Sequence, residues 1–431
     1  MKTTLDKVEN NTAYLTVEVP AAMVEEALER AFRRLSRNIL IPGFRRGRAP
    51  RALVERRIGR QALLDEALDD LLPEAYAQAV RETGIEPIDR PTVTDIHYEE
   101  GQPLSFKAQV EVKPEVTLGD YRSIRVERPQ VQVDEADVNN LLERLREAQA
   151  QLVPVDDEAE AAEGHVAVID FKGTVDGQPF PGGEGQDYMV EIGAGRLVEG
   201  FEQQLIGMRV GQERDIDVTF PEDHPEAGLA GKAARFHVTL KELKRKELPA
   251  LDDEFARSVG EFQTLEELRA DVEKNLRRRA EEDAEEQVRQ EVIRQVVEQA
   301  QVDLPAVLVE RRLDQLVEDF RRRVEAQGMK WEDYLRRQGE TVDDLRREFR
   351  PRAEREVKAD LVLDAVARRE NITAGDDDLN AEAVRLAEAY GQPVEEMRRL
   401  MSRPDVRAEV EASLRVRKTI DYLVELATQS G

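Results

Sequence analysis

The densest run of chemically useful side chains is Ile41-Pro42-Gly43-Phe44-Arg45-Arg46-Gly47-Arg48-Ala49-Pro50, continued by Arg51, Arg56, Arg57 and Arg60. From Arg45 to Arg60, seven arginines stand against one acid, Glu55, a local charge of +6 in a chain of formal charge −27. Guanidinium forks match phosphate oxygens, and an aromatic at a loop tip offers a stacking or anchoring face. One reading is an anionic, RNA-containing partner. The other is a solvated basic loop with Phe44 tucked into its own domain. Elsewhere the usual catalytic residue types are scarce. The chain has no cysteine, which removes disulfides, thiolate catalysis and Cys-ligated zinc together. His97, His165, His224 and His237 include no pair at metal-ligand spacing on a helix, so neither metal catalysis nor a cofactor is expected. No G-x-x-x-x-G-K-S/T stretch is present to cradle phosphates, which argues against an ATP-driven cycle.

The elements that must carry such residues are framed by composition. In 431 residues, 64 basic and 91 acidic side chains leave charged residues at 36% and hydrophobic ones at 40%. That much charge fits an extended or multi-lobed body of about three domains better than one compact globule. No apolar run approaches the roughly 18 residues a bilayer requires, and the N-terminal residues carry charges where a secretory signal needs its apolar core. A cytoplasmic protein with no membrane partner is expected.

Leu15, Val17 and Val19 alternate with Thr16 and Glu18, the period of a half-buried strand. Pro20 fits the first turn of a helix whose apolar face is Met23, Ala27, Ala31, Phe32 and Leu35 and whose end falls near Leu40. After the loop at 42–50, helical sequence runs to about Thr83. A strand follows near Val93, and a second is marked by Leu104, Phe106, Ala108, Val110 and Val112. This is a small α+β domain over 1–112. Residues 113–153 have Pro114, Pro129 and one amphipathic helix at about 134–150, the character of a linker. Thirteen glycines between Gly164 and Gly231, with turns such as Asp176-Gly177, mark a β-rich domain over 154–246. From 247 to 431 the pattern is all-α, beginning with a helix of about 35 residues after Thr264-Leu265-Glu266-Glu267. Further helices are expected near 305–327, 331–369, 376–390 and 405–428, forming elongated hairpins or arms.

Gly43-Phe44-Arg45-Arg46-Gly47-Arg48-Ala49-Pro50 resembles the G-F-R-x-G-x-x-P signature of the bacterial trigger factor family, and the domain order is similar across the whole chain. The resemblance implies a ribosome-associated chaperone. In that family the loop docks at the polypeptide exit tunnel of the large subunit, on a ribosomal protein and adjacent RNA. It implies that Phe44, Arg45 and Arg46 form the docking tip, shaped by Gly43, Gly47 and Pro50. The middle domain resembles an FK506-binding-protein-type prolyl isomerase. The matching stretches are Val168-Ile169-Asp170-Phe171-Lys172-Gly173, Asp176-Gly177-Gln178-Pro179-Phe180, Leu197-Val198-Glu199-Gly200-Phe201 and Ala234-Arg235-Phe236. By that resemblance Phe171, Phe180, Tyr188, Leu197, Val198, Phe201 and Phe236 line a prolyl pocket, with His224 near its rim. The segment Arg196 to Gly200 then supplies a floor and an amide donor. Pro181 and Phe201 depart from the single-domain relatives, which carry an acid and a tryptophan there. Read without the resemblance, the same aromatics are the core of a β domain.

A binder of unfolded chains needs dispersed, adaptable apolar patches. Val309, Leu313, Leu316, Phe320, Met329, Trp331 and Tyr334, and later Met397, Leu400 and Met401, are the substrate-binding candidates. Ordinary helix packing is the competing reading for each of them. The expected activity is ATP-independent holding of nascent polypeptides with isomerisation of X-Pro bonds, in protein folding and export, by a protein that dimerises when free. The alternatives are an isomerase whose helical region only dimerises it, and an RNA-binding structural protein.

Overall fold

The computed structural model describes residues 1–42, 44–45, 47–156, 158–222 and 228–429, with the side chain of Pro181 also outside the description. It divides into two compact units, one of Met1–Arg128 with Glu286–Gly431, the other of Pro129–Glu285.

The first unit opens with β1 (Lys2–Glu9), β2 (Thr12–Val19), α1 (Ala21–Asn38), α2 (Arg51–Ile58), α3 (Arg60–Thr83), β3 (Thr92–His97) and β4 (Leu104–Glu111). The antiparallel sheet has the order β1-β2-β4-β3, with Leu15 opposite Ala108 and Val17 opposite Phe106. One face of the sheet buries Leu15, Val17, Val19, Leu104 and Phe106 against Val24, Ala27, Leu28 and Ala31 of α1 and Leu63, Ala67 and Leu71 of α3. The expected helix at 20–40 is thus present and stops at Asn38. Helical sequence up to Thr83 breaks at Gly59 (φ 89°) into α2 and α3. β1 escapes the alternation rule because it is an exposed edge strand of polar sequence.

In the second unit α4 (Glu135–Ala148) starts on a capping box between Asp134 and Asp137. Next come β5 (Gln151–Pro154), β6 (His165–Val175), β7 (Gln178–Glu191), α5 (Phe201–Leu205), β8 (Glu213–Thr219) and β9 (Ala233–Glu247). The sheet order is β5-β9-β6-β7, and β8 also pairs with β9. The long β9 is therefore central, holding β6 along one side and β8 and then β5 along the other. Its inward residues Ala234, Phe236, Val238 and Leu240 join Ile169, Ile192, Phe201, Leu205, Met208 and Ile216 in a single core. α6 (Asp253–Val259), capped by Asp252, packs Phe255 on Val138, Leu142, Leu268 and Val272.

α7 (Leu265–Gln299) runs for the 35 residues expected of it. The first unit resumes at Glu286 within α7 and continues with α8 (Ala306–Ala326), α9 (Trp331–Gln338), α10 (Val342–Arg369), α11 (Asp376–Tyr390), α12 (Val394–Met401) and α13 (Pro404–Thr428). Gly339 (φ 69°) separates α9 from α10, where one helical segment was expected, whereas Pro351 lies inside α10 without ending it. Tyr121 and Ile124 of the stretch after β4 are buried among Val292 and Val296 of α7, Val362 and Val366 of α10 and Leu423 of α13. Beside them Asp364, nearly buried, meets Lys113, Arg368 at 2.7 Å and Arg415 at 3.0 Å. Burial pushes that carboxyl up, but Lys113 and the two guanidiniums outweigh it and hold its pKa below the usual range. Arg368 also grips Glu86, and Asn11 donates to the Asp303 carbonyl at 3.2 Å, so the N-terminal sheet and the helices are joined by polar contacts. The α+β, β-rich and helical segments expected from the sequence are all present.

Candidate functional site

The basic loop leaves α1 and is tied back to it. Gly47 adopts φ 74°, a region costly for other residues, and its N–H donates to the Ser36 carbonyl at 2.8 Å. Arg48 donates to the Arg45 carbonyl at 2.9 Å, buried Ala49 anchors the loop, and Pro50 caps α2. Phe44 stands 40% exposed rather than tucked into its domain. Gly43 and Arg46 lie outside the described residues. Of the described arginines, Arg51 pairs with Glu25 and Glu55, and Arg60 with Glu100 at 2.6 Å. Arg45, Arg48, Arg56 and Arg57 make no ion pair among the described residues. The loop thus carries guanidiniums without an acidic partner among the described residues, next in sequence to an exposed ring.

The second cluster lies in the β-rich unit. Phe171 on β6, Phe180 on β7, Phe201 at the start of α5 and Phe236 on β9 converge, with Phe236 as the hub. Its ring centroid lies 5.3 Å from that of Phe201, 6.0 Å from Phe171 and 6.0 Å from Phe180, mostly edge to face. Tyr188 meets Phe171 edge-on at 5.6 Å. Gly173 makes the hub possible, since a Cβ there would lie 2.5 Å from the Phe236 ring. Phe201 and Phe236 are buried, whereas Phe171, Phe180, Leu197 and Val198 are half-buried and Tyr188 is exposed. The cluster therefore has a buried base and an apolar face toward solvent, serving both as core and as a surface. His224 lies outside the described residues.

One residue at this site escaped sequence reasoning. Glu202 is 2% exposed, and its carboxylate accepts four backbone N–H bonds. Oε2 takes Gly193 at 3.0 Å and Gly195 at 2.8 Å, and Oε1 takes Arg196 at 2.8 Å and Leu197 at 3.1 Å. Burial pushes the carboxyl up, but the four donors prevail and hold its pKa below the usual value. The next amide, that of Val198, has no acceptor among the described residues, although the Val198 carbonyl accepts from Phe201 at 3.0 Å. Here a partnerless donor borders an apolar wall, an arrangement that can hold a carbonyl while excluding water from the rest of an amide. Among the described residues no group of three or more His, Cys, Asp or Glu could hold a metal ion.

The helical candidates are placed differently from one another. Val309, Leu313 and Leu316 of α8 are buried against Ala353 of α10 and half-buried Phe349. Trp331 is buried with Val324 and Leu345, and stacks on Tyr334 with centroids 6.0 Å apart. Phe320 and Met329 are half-buried in the same cluster. Met401 is buried and Met397 half-buried, whereas Leu400 is exposed. Packing therefore occupies Val309, Leu313, Leu316, Trp331 and Met401 in this structure, because α8 and α10 pair along the apolar stripe that carries three of them. Tyr390, 70% exposed at the end of α11, is an open apolar surface that sequence reasoning passed over.

Three family models match the chain in order. They are the bacterial trigger factor protein over 1–145, the FKBP-type peptidyl-prolyl cis-trans isomerase over 157–241, and the bacterial trigger factor protein C-terminus over 264–425. The trigger factor of Moorella thermoacetica is 46% identical over 425 residues, 99% of this chain and 94% of that one. That of Brevibacillus brevis is 46% identical over 419 residues, 97% of each chain. A solved structure from work on promiscuous substrate recognition in folding and assembly by the trigger factor chaperone matches with a TM-score of 0.51. It is 25% identical and covers 99% of both chains.

Proposed function

The chain belongs to the bacterial trigger factor family and carries an FKBP-type peptidyl-prolyl isomerase domain, and from that premise we propose that it docks on the ribosome through the Phe44 loop and isomerises X-Pro bonds of nascent chains at the Phe236 cluster. Residues 1–112 dock, 154–246 isomerise, 247–431 hold the client, and 113–153 join them. The protein works in the cytoplasm, partly ribosome-bound, in folding and export, and dimerises when free. Phe44, Arg45 and Arg46, shaped by Gly43, Gly47 and Pro50, meet a ribosomal protein and the RNA beside the exit tunnel of the large subunit.

The observation that carries the isomerase reading is the Val198 amide, which has no acceptor among the described residues, beside the aromatic wall. Rotation about X-Pro breaks no covalent bond, and its barrier of roughly 18–20 kcal/mol comes from amide resonance. A twisted amide has less charge separation than a planar one, so an apolar surface of Phe171, Phe180, Tyr188, Leu197, Phe201 and Phe236 lowers the barrier by replacing water around the planar form. The Val198 N–H holds a substrate carbonyl while the prolyl ring turns. No acid, base or nucleophile is required. Clients are held weakly on open apolar side chains of the helices, Leu400, Tyr390 and half-buried Met397 first among them, and are released without nucleotide.

Co-sedimentation with translating ribosomes tests the reading as a whole. Binding that survives washing, with suppressed aggregation of a proline-free client, is the expected result. Isomerase activity without either would leave a prolyl isomerase with a dimerising helical region. Equal affinity for free RNA and for ribosomes would favour an RNA-binding structural protein.

A further inference from the structure

A carboxylate taken out of water costs several kcal/mol unless hydrogen bonds replace its hydration. Glu202 meets that cost by gathering four amides of one loop, those of Gly193, Gly195, Arg196 and Leu197, onto its two oxygens. This loop has no regular secondary structure. Gly193 and Gly195 sit at φ 93° and 66°, so the backbone curls around the carboxylate as an anion nest does, with the anion supplied by the chain itself. The loop ends in Leu197 and Val198, which pack on the aromatic core. Glu202 also directly follows Phe201, whose ring lies against Phe236. One buried side chain is thereby tied to the loop that carries the apolar lip and the Val198 amide, and is next in sequence to the floor ring.

We infer that Glu202 is a positioning residue of the prolyl site, fixing the 193–197 loop so that the Val198 N–H and the Leu197 and Val198 side chains are held in place before substrate arrives. Glu202 touches no substrate. The inference rests on the isomerase reading of this site. A neutral isostere keeps the shape but turns an acceptor oxygen into an N–H2 donor facing backbone N–H groups, so two of the four bonds become repulsive.

The test is Glu202→Gln in the full chain, with Leu243→Ala as a control that opens the same core away from the loop. Kinetics on a tetrapeptide X-Pro substrate and amide hydrogen exchange at residues 193–198 are compared well below the melting temperature of each variant. Glu202→Gln should lower kcat/KM on the order of 10- to 100-fold, as displacement of a positioning group does, and accelerate exchange at Gly193, Gly195, Arg196 and Leu197. Leu243→Ala should do neither at equal stability loss. Equal kinetic loss in both variants, or unchanged loop exchange in Glu202→Gln, would overturn the inference. A wild-type chain with no isomerase activity but a loop that loosens in Glu202→Gln would instead remove the isomerase reading and keep the positioning role.

Discussion

The Phe44 loop and the Phe236 cluster each pair aromatic rings with polar groups, yet they expose opposite things. At the loop Arg45 and Arg48 make no ion pair among the described residues and the Phe44 ring is exposed. At the cluster the rings are packed on one another, the charge of Glu202 is spent on the backbone, and the Val198 amide has no acceptor among the described residues. A surface of the first kind attracts its partner at a distance and is screened by salt. A surface of the second kind acts only on contact, by excluding water. The contrast implies that docking and isomerisation respond to different solution conditions and fail through different substitutions.

The sharpest break is Phe236→Ala. Removing the hub should destabilise the β-rich unit by about 3–5 kcal/mol and abolish isomerisation, with ribosome co-sedimentation retained; loss of docking in a chain with a folded first unit would show the two regions to be coupled. Next in size is alanine at Phe44, Arg45 and Arg46 together. Truncating a ring and two guanidiniums should cost docking about 2–4 kcal/mol and leave peptide turnover within about twofold. Wild-type docking should also weaken steeply from about 50 to 200 mM salt, while turnover of an uncharged peptide stays level. The smallest effect is acid dependence. Because the Glu202 pKa in the folded chain lies below its ordinary value of 4.5, the stability it supplies is complete above that pH and is lost as the pH falls through the depressed value. Urea midpoints of wild type should therefore drop on acidification below about pH 5 more steeply than those of Glu202→Gln; parallel curves would show that Glu202 is not ionised in the fold.

Much of the architecture is legible in the sequence. The alternation from Leu104 to Val110 placed β4, the spacing from Leu265 to Val296 placed α7, and the glycine-rich turns placed the β-rich unit. Glu202 was not legible. A glutamate beginning a short helix reads as a solvated residue, and its partners are backbone amides, which leave no trace in side-chain type. α12 was too short to declare a period, and the polar edge strand β1 had no buried face to reveal it. Periodicity also located the apolar stripe of Val309, Leu313 and Leu316 without saying what covers it. Only the pairing of α8 with α10 shows that Leu313 is fully buried.

Asp364 has a consequence for how the first unit comes apart. Lys113 from beyond β4, Arg368 one turn along α10 and Arg415 of α13 share that single acid. Such a joint has a keystone. Losing any one cation still leaves the carboxylate two partners, whereas neutralising Asp364 leaves three cations crowded together with Arg368 alone keeping another acid among the described residues, Glu86, so the joint would be pushed open at its centre and not simply slackened.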